Sequence, residues 1–313
     1  MFEIRRYSEA QQGEWNKFIA ESKNGTFLFD RNYMDYHSDR FTDYSLMFYV
    51  GDRLLAVLPA HAVGDTLCTH RGLTYGGLLM SVRLTIAETV TLFRELNDML
   101  RAAGFRHVSY KAIPWIYHRL SADEDLYALY HVCKARIVAR DYSTNIFLRA
   151  NLRWERVRRR GVIRAERAGI HVEISENYGD FWQVLADNLG TKYGVKPVHT
   201  LAEIELLHER FPKNIVLYQA VLNGSVLGGV VLYVTSQVVH AQYSSATPEG
   251  KQLGAIDLIY DRIMHHDYKN YLYFDFGRST ENDDGSGLNE TLVFQKEGFG
   301  ARGLCYDIYE YDL

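Results

Sequence analysis

Asp275 interrupts an otherwise aromatic segment, YLYFDFG (271–277). Lys296 follows in FQKEGFG (294–300), after the glycine- and acid-rich stretch RSTENDDGSGLNE (278–290). As a strand, the first segment alternates, with Tyr271, Tyr273, Asp275 and Gly277 on one face and Leu272, Phe274 and Phe276 on the other. Asp275 and Arg278 then stand at a strand end, the place where α/β sheets bind ligands. Asp284–Gly285 and Ser286–Gly287 predict a tight turn, followed by Asn289 and Glu290. Partial burial of Lys296 between Phe294 and Phe299 would lower its pKa or hold it as a fixed cation. A salt bridge from Lys296 to Asp275 or Glu290 is the purely structural alternative.

A second constellation lies in SSATPEGKQLGAIDLIYDRIM (244–264). The pattern predicts a strand, a Pro-Glu-Gly turn and a helix opening near Gly250–Gly254, with Leu253, Ile256, Ile259 and Ile263 buried. Backbone N–H groups at such a start attract phosphate. Asp257, Asp261 and His265 share a face of that helix, but with no further ligand cluster they do not make a metal site. A third feature is arginine: Arg149, Arg153, Arg156, Arg160, Arg164 and Arg167 fall on one side of an expected helix capped by Asn151. Such a stripe calls for an anion, either acidic protein surface or a phosphorylated ligand; a solvated connecting helix is the plainer alternative. Asp-Phe-Gly at 275–277 echoes a protein kinase, yet the catalytic loop and the glycine-rich loop of kinases are missing. No G-x-S-x-G and no activated cysteine supports a protein nucleophile.

The elements that must carry these residues alternate between strand and helix, which indicates an α/β architecture. In the first half, FEIRRYS reads as a strand, EAQQGEWNKFIAES as a helix, 45–70 as strands with Gly-Asp turns, about 83–103 as a helix ended by Gly104, and HVSYKAIP as a strand. The second half repeats the order: VEISENY, a helix over GDFWQVLADNLGTKYG, a three-strand meander over 215–246, the helix LGAIDLIYDRIMHHD and the strand YLYFDFG. Residues 50–70 lie over 222–242 in local pattern, which an internal duplication explains. The expected organisation is an N-terminal half over 1–148, an Arg-rich connecting helix over 149–169 and a C-terminal half over 170–313.

The 313 residues are 47% hydrophobic, enough for a substantial core. No long apolar run or signal-peptide layout is present, and Cys68, Cys133 and Cys305 show neither disulfide-framework nor zinc-ribbon spacing, so a cytoplasmic protein is expected. The net charge of −4 conceals an asymmetry: residues 149–167 hold eight Arg against two Glu, leaving −10 on the rest. This excludes general nucleic-acid coating, and no DNA partner is expected, while one local anion or RNA contact remains open.

Taken together, the tandem halves, the basic helix RWERVRRRGVIRAERAGIHVEI and the ending YFDFGRSTE…GLNETLVFQKEGFGAR resemble the FemAB-like acyltransferases of the GNAT (Gcn5-related N-acetyltransferase) superfamily. The likeness covers most of 150–313 and is most specific at the ending, which is similar to a D-x-G…F-K-x-x-F-G pattern. It implies tandem GNAT-like halves, each a mixed twisted sheet flanked by helices. It further implies an acyl donor in the splay of the sheet and transfer of the acyl group to an amine on a small molecule or peptide. The donor implied is acyl-CoA as co-substrate, with aminoacyl-tRNA in a FemAB-type transfer to a cell-wall precursor as the alternative. A silent GNAT-like binding scaffold is the non-enzymatic reading, and no metal is implied.

By the resemblance, Lys296 matches the family lysine near the reacting carbonyl, where a cation stabilises an oxyanion, and Asp275 matches the strand acid. Gly250, Lys251, Gln252, Gly254 and Ala255 lie where acetyl-CoA enzymes carry a Q/R-x-x-G-x-G/A loop, with Lys251 replacing Gln or Arg and Ile256 the final small residue. Direct transfer needs positioning and a base. Asp275 and Glu290 are the base candidates, Tyr243 the candidate proton donor to the leaving group, and Arg156, Arg160, Arg164 and Arg278 the candidate acceptor or anion contacts.

Overall fold

The computed structural model describes residues 1–150 and 152–313. The chain forms two compact units: Met1–Tyr142 with Thr280–Gly287 and Cys305–Leu313, and Ser143–Ser279 with Leu288–Leu304. The division expected from chain order, at 148 and 170, thus meets units built from interleaved segments. Mixed sheets flanked by helices make up both, as the α/β reading anticipates.

In the first unit, β1 (Glu3–Arg6), β3 (Leu46–Val50), β4 (Arg53–Leu58) and β7 (Leu79–Met80) form an antiparallel sheet, with α1 over Gln12–Glu21. The segment 50–70 does not continue as one meander. It leaves β4 for a second sheet made of β2 (Thr42–Asp43), β5 (His61–Val63), β6 (Thr66–Cys68), β8 (His107–Lys111) and the strand that ends the sequence, Arg302–Asp312. Helix α3 (Ile86–Ala102) starts at a reciprocal cap between Thr85 and Glu88, buries Leu92, Phe93, Leu96 and Leu100, and stops where Gly104 takes φ +90°.

Helix α4 (Glu124–His131) brings Asp125 into the same core, where Tyr110 donates its hydroxyl proton to the carboxylate and accepts from the Leu78 amide. Burial pushes the Asp125 carboxyl up to about 7. Its folded value therefore exceeds the unfolded one. Between those values the folded state holds a proton that the unfolded state has lost, so stability falls as pH rises toward about 7 and levels above it. Urea midpoints measured from mildly acidic to mildly alkaline pH should show this slope, and Asp125→Asn should flatten it.

The second unit opens on the last residues of β9 (Arg136–Phe147), which pair antiparallel with the strand Tyr273–Arg278. It continues with α5 (Arg156–Arg167), β10 (His171–Ser175), α6 (Tyr178–Tyr193), α7 (Leu201–Arg210), β11 (Ile215–Leu222), β12 (Ser225–Val234) and β13 (Val238–Ala246). After these come α8 (Pro248–Leu253), α9 (Ala255–Asp261), β14 (Tyr273–Arg278) and α10 (Glu290–Glu297). Its sheet runs β10-β11-β12-β13-β14-β9, antiparallel except for the parallel pair β13–β14. Ala255, Ile259, Ile263 and Met264 bury one side of α9 and the turn after it against Val230, Leu232, Val239 and Phe274.

One expectation about a helix is corrected. The arginine helix begins at Arg156 with Glu155 at its cap; Arg149 lies in a separate short turn, Arg153 precedes the helix, and Asn151 lies outside the described residues. The cause is Trp154, buried between Phe299 and His265 (ring centroids 4.9 and 4.8 Å), together with the Glu155 amide donating to the Gly298 carbonyl. The helix expected over 253–267 forms from Ala255 to Asp267, its last turn π-helical; Gly254, at φ +86° and facing the backbone of Gly161 on α5, divides it from the short helix α8.

A Cβ on Gly161 would come within 1.8 Å of Asp257 Oδ2, and one on Gly254 within 2.4 Å of the Gly161 carbonyl oxygen. These glycines let α5 lie directly on α9, where Arg158 pairs with the buried Asp257 at 3.0 Å. Gly161→Ala should therefore lower stability by about 1–3 kcal/mol, the usual range for overpacking, as read by chemical denaturation.

Candidate active site

Strands β13 and β14 pair at only three positions, Val238↔Tyr273, Val239↔Phe274 and His240↔Asp275. Both depart from regular register just beyond. On β13 the pairing jumps from Leu232↔Ala241 to Val231↔Tyr243, so Gln242 is an extra residue, and β14 shifts against β9 between Asp275 and Arg278. Bulges of this kind bend strands and redirect side chains. Next to this departure lies a cavity of about 230 Å³, lined by Ala241, Gln242 and Ser244 from β13 and Phe276 and Arg278 from β14. Tyr260, Leu292, Gln295, Lys296 and Phe299 complete it. Its floor is aromatic: the Tyr260 ring stands edge-on to Phe276 and Phe299, which stack on each other. Gln242 Oε1 is buried with no hydrogen-bond donor, an acceptor left over beside this space.

Asp275 has no exposed surface. Its Oδ1 accepts from Ser143 Oγ (2.9 Å) and the Gly277 amide (3.0 Å), and its Oδ2 meets His240 Nδ1 at 2.9 Å. Gly277 has φ +73°, and a Cβ there would lie 3.0 Å from His240 Cε1. A side chain at 277 would therefore be strained in backbone and would press on the imidazole.

Lys296, carried by α10, approaches Gly277 through its carbonyl. Nζ donates to the carbonyls of Gly277 (2.7 Å) and Arg278 (2.8 Å) and to Ser279 Oγ (2.8 Å). Those are three acceptors for the three protons of an ammonium. Burial lowers its pKa to about 8, and the charge of Asp275 opposes that drop.

The structure thus brings Asp275, Arg278 and Lys296 to the end of β14. The alternative of a direct salt bridge is not what forms: Lys296 holds the backbone and Ser279 after the bulge. Glu290 stands exposed in the first turn of α10. Tyr243 lies on β13 beyond the extra residue, its hydroxyl 2.6 Å from His199 Nδ1, and burial pushes its pKa up to about 12.

Of the loop residues, the Gly250 amide donates to Thr247 Oγ1, the Lys251 amide to the Thr247 carbonyl and the Gly254 amide to the Gly250 carbonyl. Lys251 Nζ reaches Asn188 Oδ1 at 2.6 Å, Gln252 is exposed and Ala255 is buried. Arg156, Arg160 and Arg164 are exposed on α5. Sequence reasoning missed His240 and Gln242. His240 is one of twelve histidines, and only the parallel register opposite Asp275 singles it out.

Residues 147–284 match the family described as acetyltransferase (GNAT) domain, a span that holds β13, the bulges and Asp275. Over this stretch the chain is similar to the GNAT acetyltransferases. The fold of FemX is similar over 99% of this chain and 97% of that one, at 12% identity and a TM-score of 0.69. The C-terminal domain of a putative lysylphosphatidylglycerol synthetase from Agrobacterium fabrum is similar over 97% and 92%, at 13% identity and 0.61. L-PGS from Bacillus licheniformis is similar over 96% and 91%, at 13% and 0.59. Among curated proteins none matches the sequence. The match to an acetyltransferase domain supports acyl transfer as the general activity. Among the described residues no cluster suited to a metal ion occurs, and no helix is long and apolar enough to cross a membrane.

Activity that depends on the Lys296 cation should decline as pH rises through about 8, where the ammonium loses its proton. In Lys296→Arg the guanidinium stays charged, so whatever activity that variant keeps should lack this alkaline limb in a kcat-against-pH profile.

Proposed function

We infer that this GNAT-like protein is an N-acyltransferase that seats the acyl end of an activated donor in the cavity between β13 and β14 and passes it to an amine. The observation that carries the reading is the parting of these two strands after three paired residues, with an aromatic floor and the unpaired Gln242 Oε1 beside the space. Gln242 Oε1 suits an N–H donor on the acyl carrier, such as a pantetheine amide or an aminoacyl ammonium.

His240 is the proton acceptor in this reading. Its Nδ1 is held by Asp275, which fixes the ring, and Nε2 takes the proton of the attacking amine. The new N–C bond forms as the C–S or C–O bond to the carrier breaks, and no protein nucleophile intervenes. Asp275 acts through His240, since three donors already occupy its oxygens. Lys296 steadies the oxyanion if one of its three hydrogen bonds is exchanged for the substrate; otherwise it fixes the Gly277–Ser279 backbone. His240→Ala should lower kcat by roughly 10²- to 10⁴-fold with a smaller change in KM, the range of general base loss. Equal kcat would remove His240 from the mechanism.

Acyl-CoA is the first donor to test, in line with the GNAT family. A second reading, aminoacyl-tRNA, is favoured by one observation: the amides of Gly250, Lys251 and Gly254 are already paired within the chain, and Gly254 backs onto α5. Thermal-shift titration with acetyl-CoA, CoA and uncharged tRNA separates the two. A rise in Tm with acetyl-CoA and CoA supports the first, and a rise with tRNA alone the second. No response to any of them favours a silent scaffold.

A further inference from the structure

We propose that the outer side of α5, with the groove at its start, docks on an anionic phospholipid bilayer. Helix α5 turns Gly161 and Ala165 inward and leaves Arg156, Arg160, Arg164 and Arg167 exposed, with Arg149 and Arg153 exposed just before it. None of these six makes an ion pair among the described residues; the inward Arg158 alone on this helix is paired, with Asp257. Six unpaired cations on one segment of a chain that is otherwise net negative call for an external polyanion.

The apolar residues decide which polyanion. On a helical wheel Ile163 falls among Arg156, Arg159, Arg160 and Arg167, and it is 46% exposed; Leu152, before the helix, is 47% exposed. Between them opens a groove of about 430 Å³ walled by Leu152, Val162 and Ile163; Arg153, Arg159, Asp261 and His265 also line it, the Asp261 carboxylate lying 2.8 Å from His265 Nδ1. Trp154 lines it too, and its indole N–H is buried without an acceptor.

Aliphatic walls with arginines beside them suit a lipid: hydrocarbon in the groove, phosphate or ester oxygen on the arginines and the indole N–H. RNA fits less well. Single strands bind through exposed aromatic rings, and here the one aromatic, Trp154, is 5% exposed and packed between His265 and Phe299.

The test uses the full chain in co-sedimentation with vesicles of phosphatidylcholine alone or mixed with phosphatidylglycerol, and in parallel tRNA binding. Expected is binding to the anionic vesicles only, weakened by salt. Arg156→Gln, Arg160→Gln and Arg164→Gln together should lower partitioning by roughly a hundredfold or more. The double variant Leu152→Ser and Ile163→Asn should lower it roughly tenfold and leave tRNA binding unchanged. These positions are exposed, and far-UV circular dichroism confirms that the variants fold. No vesicle binding, equal binding to neutral vesicles, or binding indifferent to Leu152 and Ile163 would overturn the proposal; tRNA binding without vesicle binding would reassign the face to RNA. The readout is independent of acyl donor, so it stands or falls apart from the transfer reaction.

Discussion

A carboxylate with no exposed surface is tolerated only where donors replace its water, and Asp275 obtains them from three strands: Ser143 on β9, its own Gly277 on β14 and His240 on β13. The consequence is geometric. The three strands are tied together at the point where β13 and β14 part, so the opening of the sheet has a fixed edge. Gly277 must turn its amide back to the carboxylate, which places its backbone at positive φ and sends its carbonyl to Lys296. One buried charge thereby sets the imidazole, the bulge and the ammonium.

Much of this was legible in the sequence at the level of residue pairs. Asp275 on an aromatic strand and Lys296 returning after a glycine-rich stretch do converge, because alternation and turn chemistry are local rules. The contact between them was not legible: the lysine meets Gly277, Arg278 and Ser279, a choice made by the bulge. Gln242 became distinctive only as the extra residue of a register shift, which depends on the pairing partner. Helix α10 was hidden as well, since the short apolar run TLVF has no clear period, and its start is fixed by Asn289 accepting from the Leu292 amide.

The same limit governs the arginine segment. Its spacing predicts one long helix, and the intrinsic preferences allow it. Trp154 overrides them by packing between Phe299 and His265, contacts far away in sequence. Gly161 and Gly254 permit two helices to meet backbone to side chain, bringing Arg158 to the one acid, Asp257, that it neutralises, a contact that no local pattern announces.

The interleaving of the two units bears on how the chain acquires its structure. Strand β8 finds an antiparallel partner in residues 308–312, and no earlier segment fills that side of it. As the polypeptide emerges from the ribosome, the first unit therefore carries an open strand edge throughout the synthesis of the second. Its sheet closes only when the later segment arrives, a long-range pairing with a high loop-closure cost. An exposed edge of that lifetime is a template for wrong partners, so the order of synthesis makes the first unit wait on the second, and completion of the fold becomes a late, cooperative event.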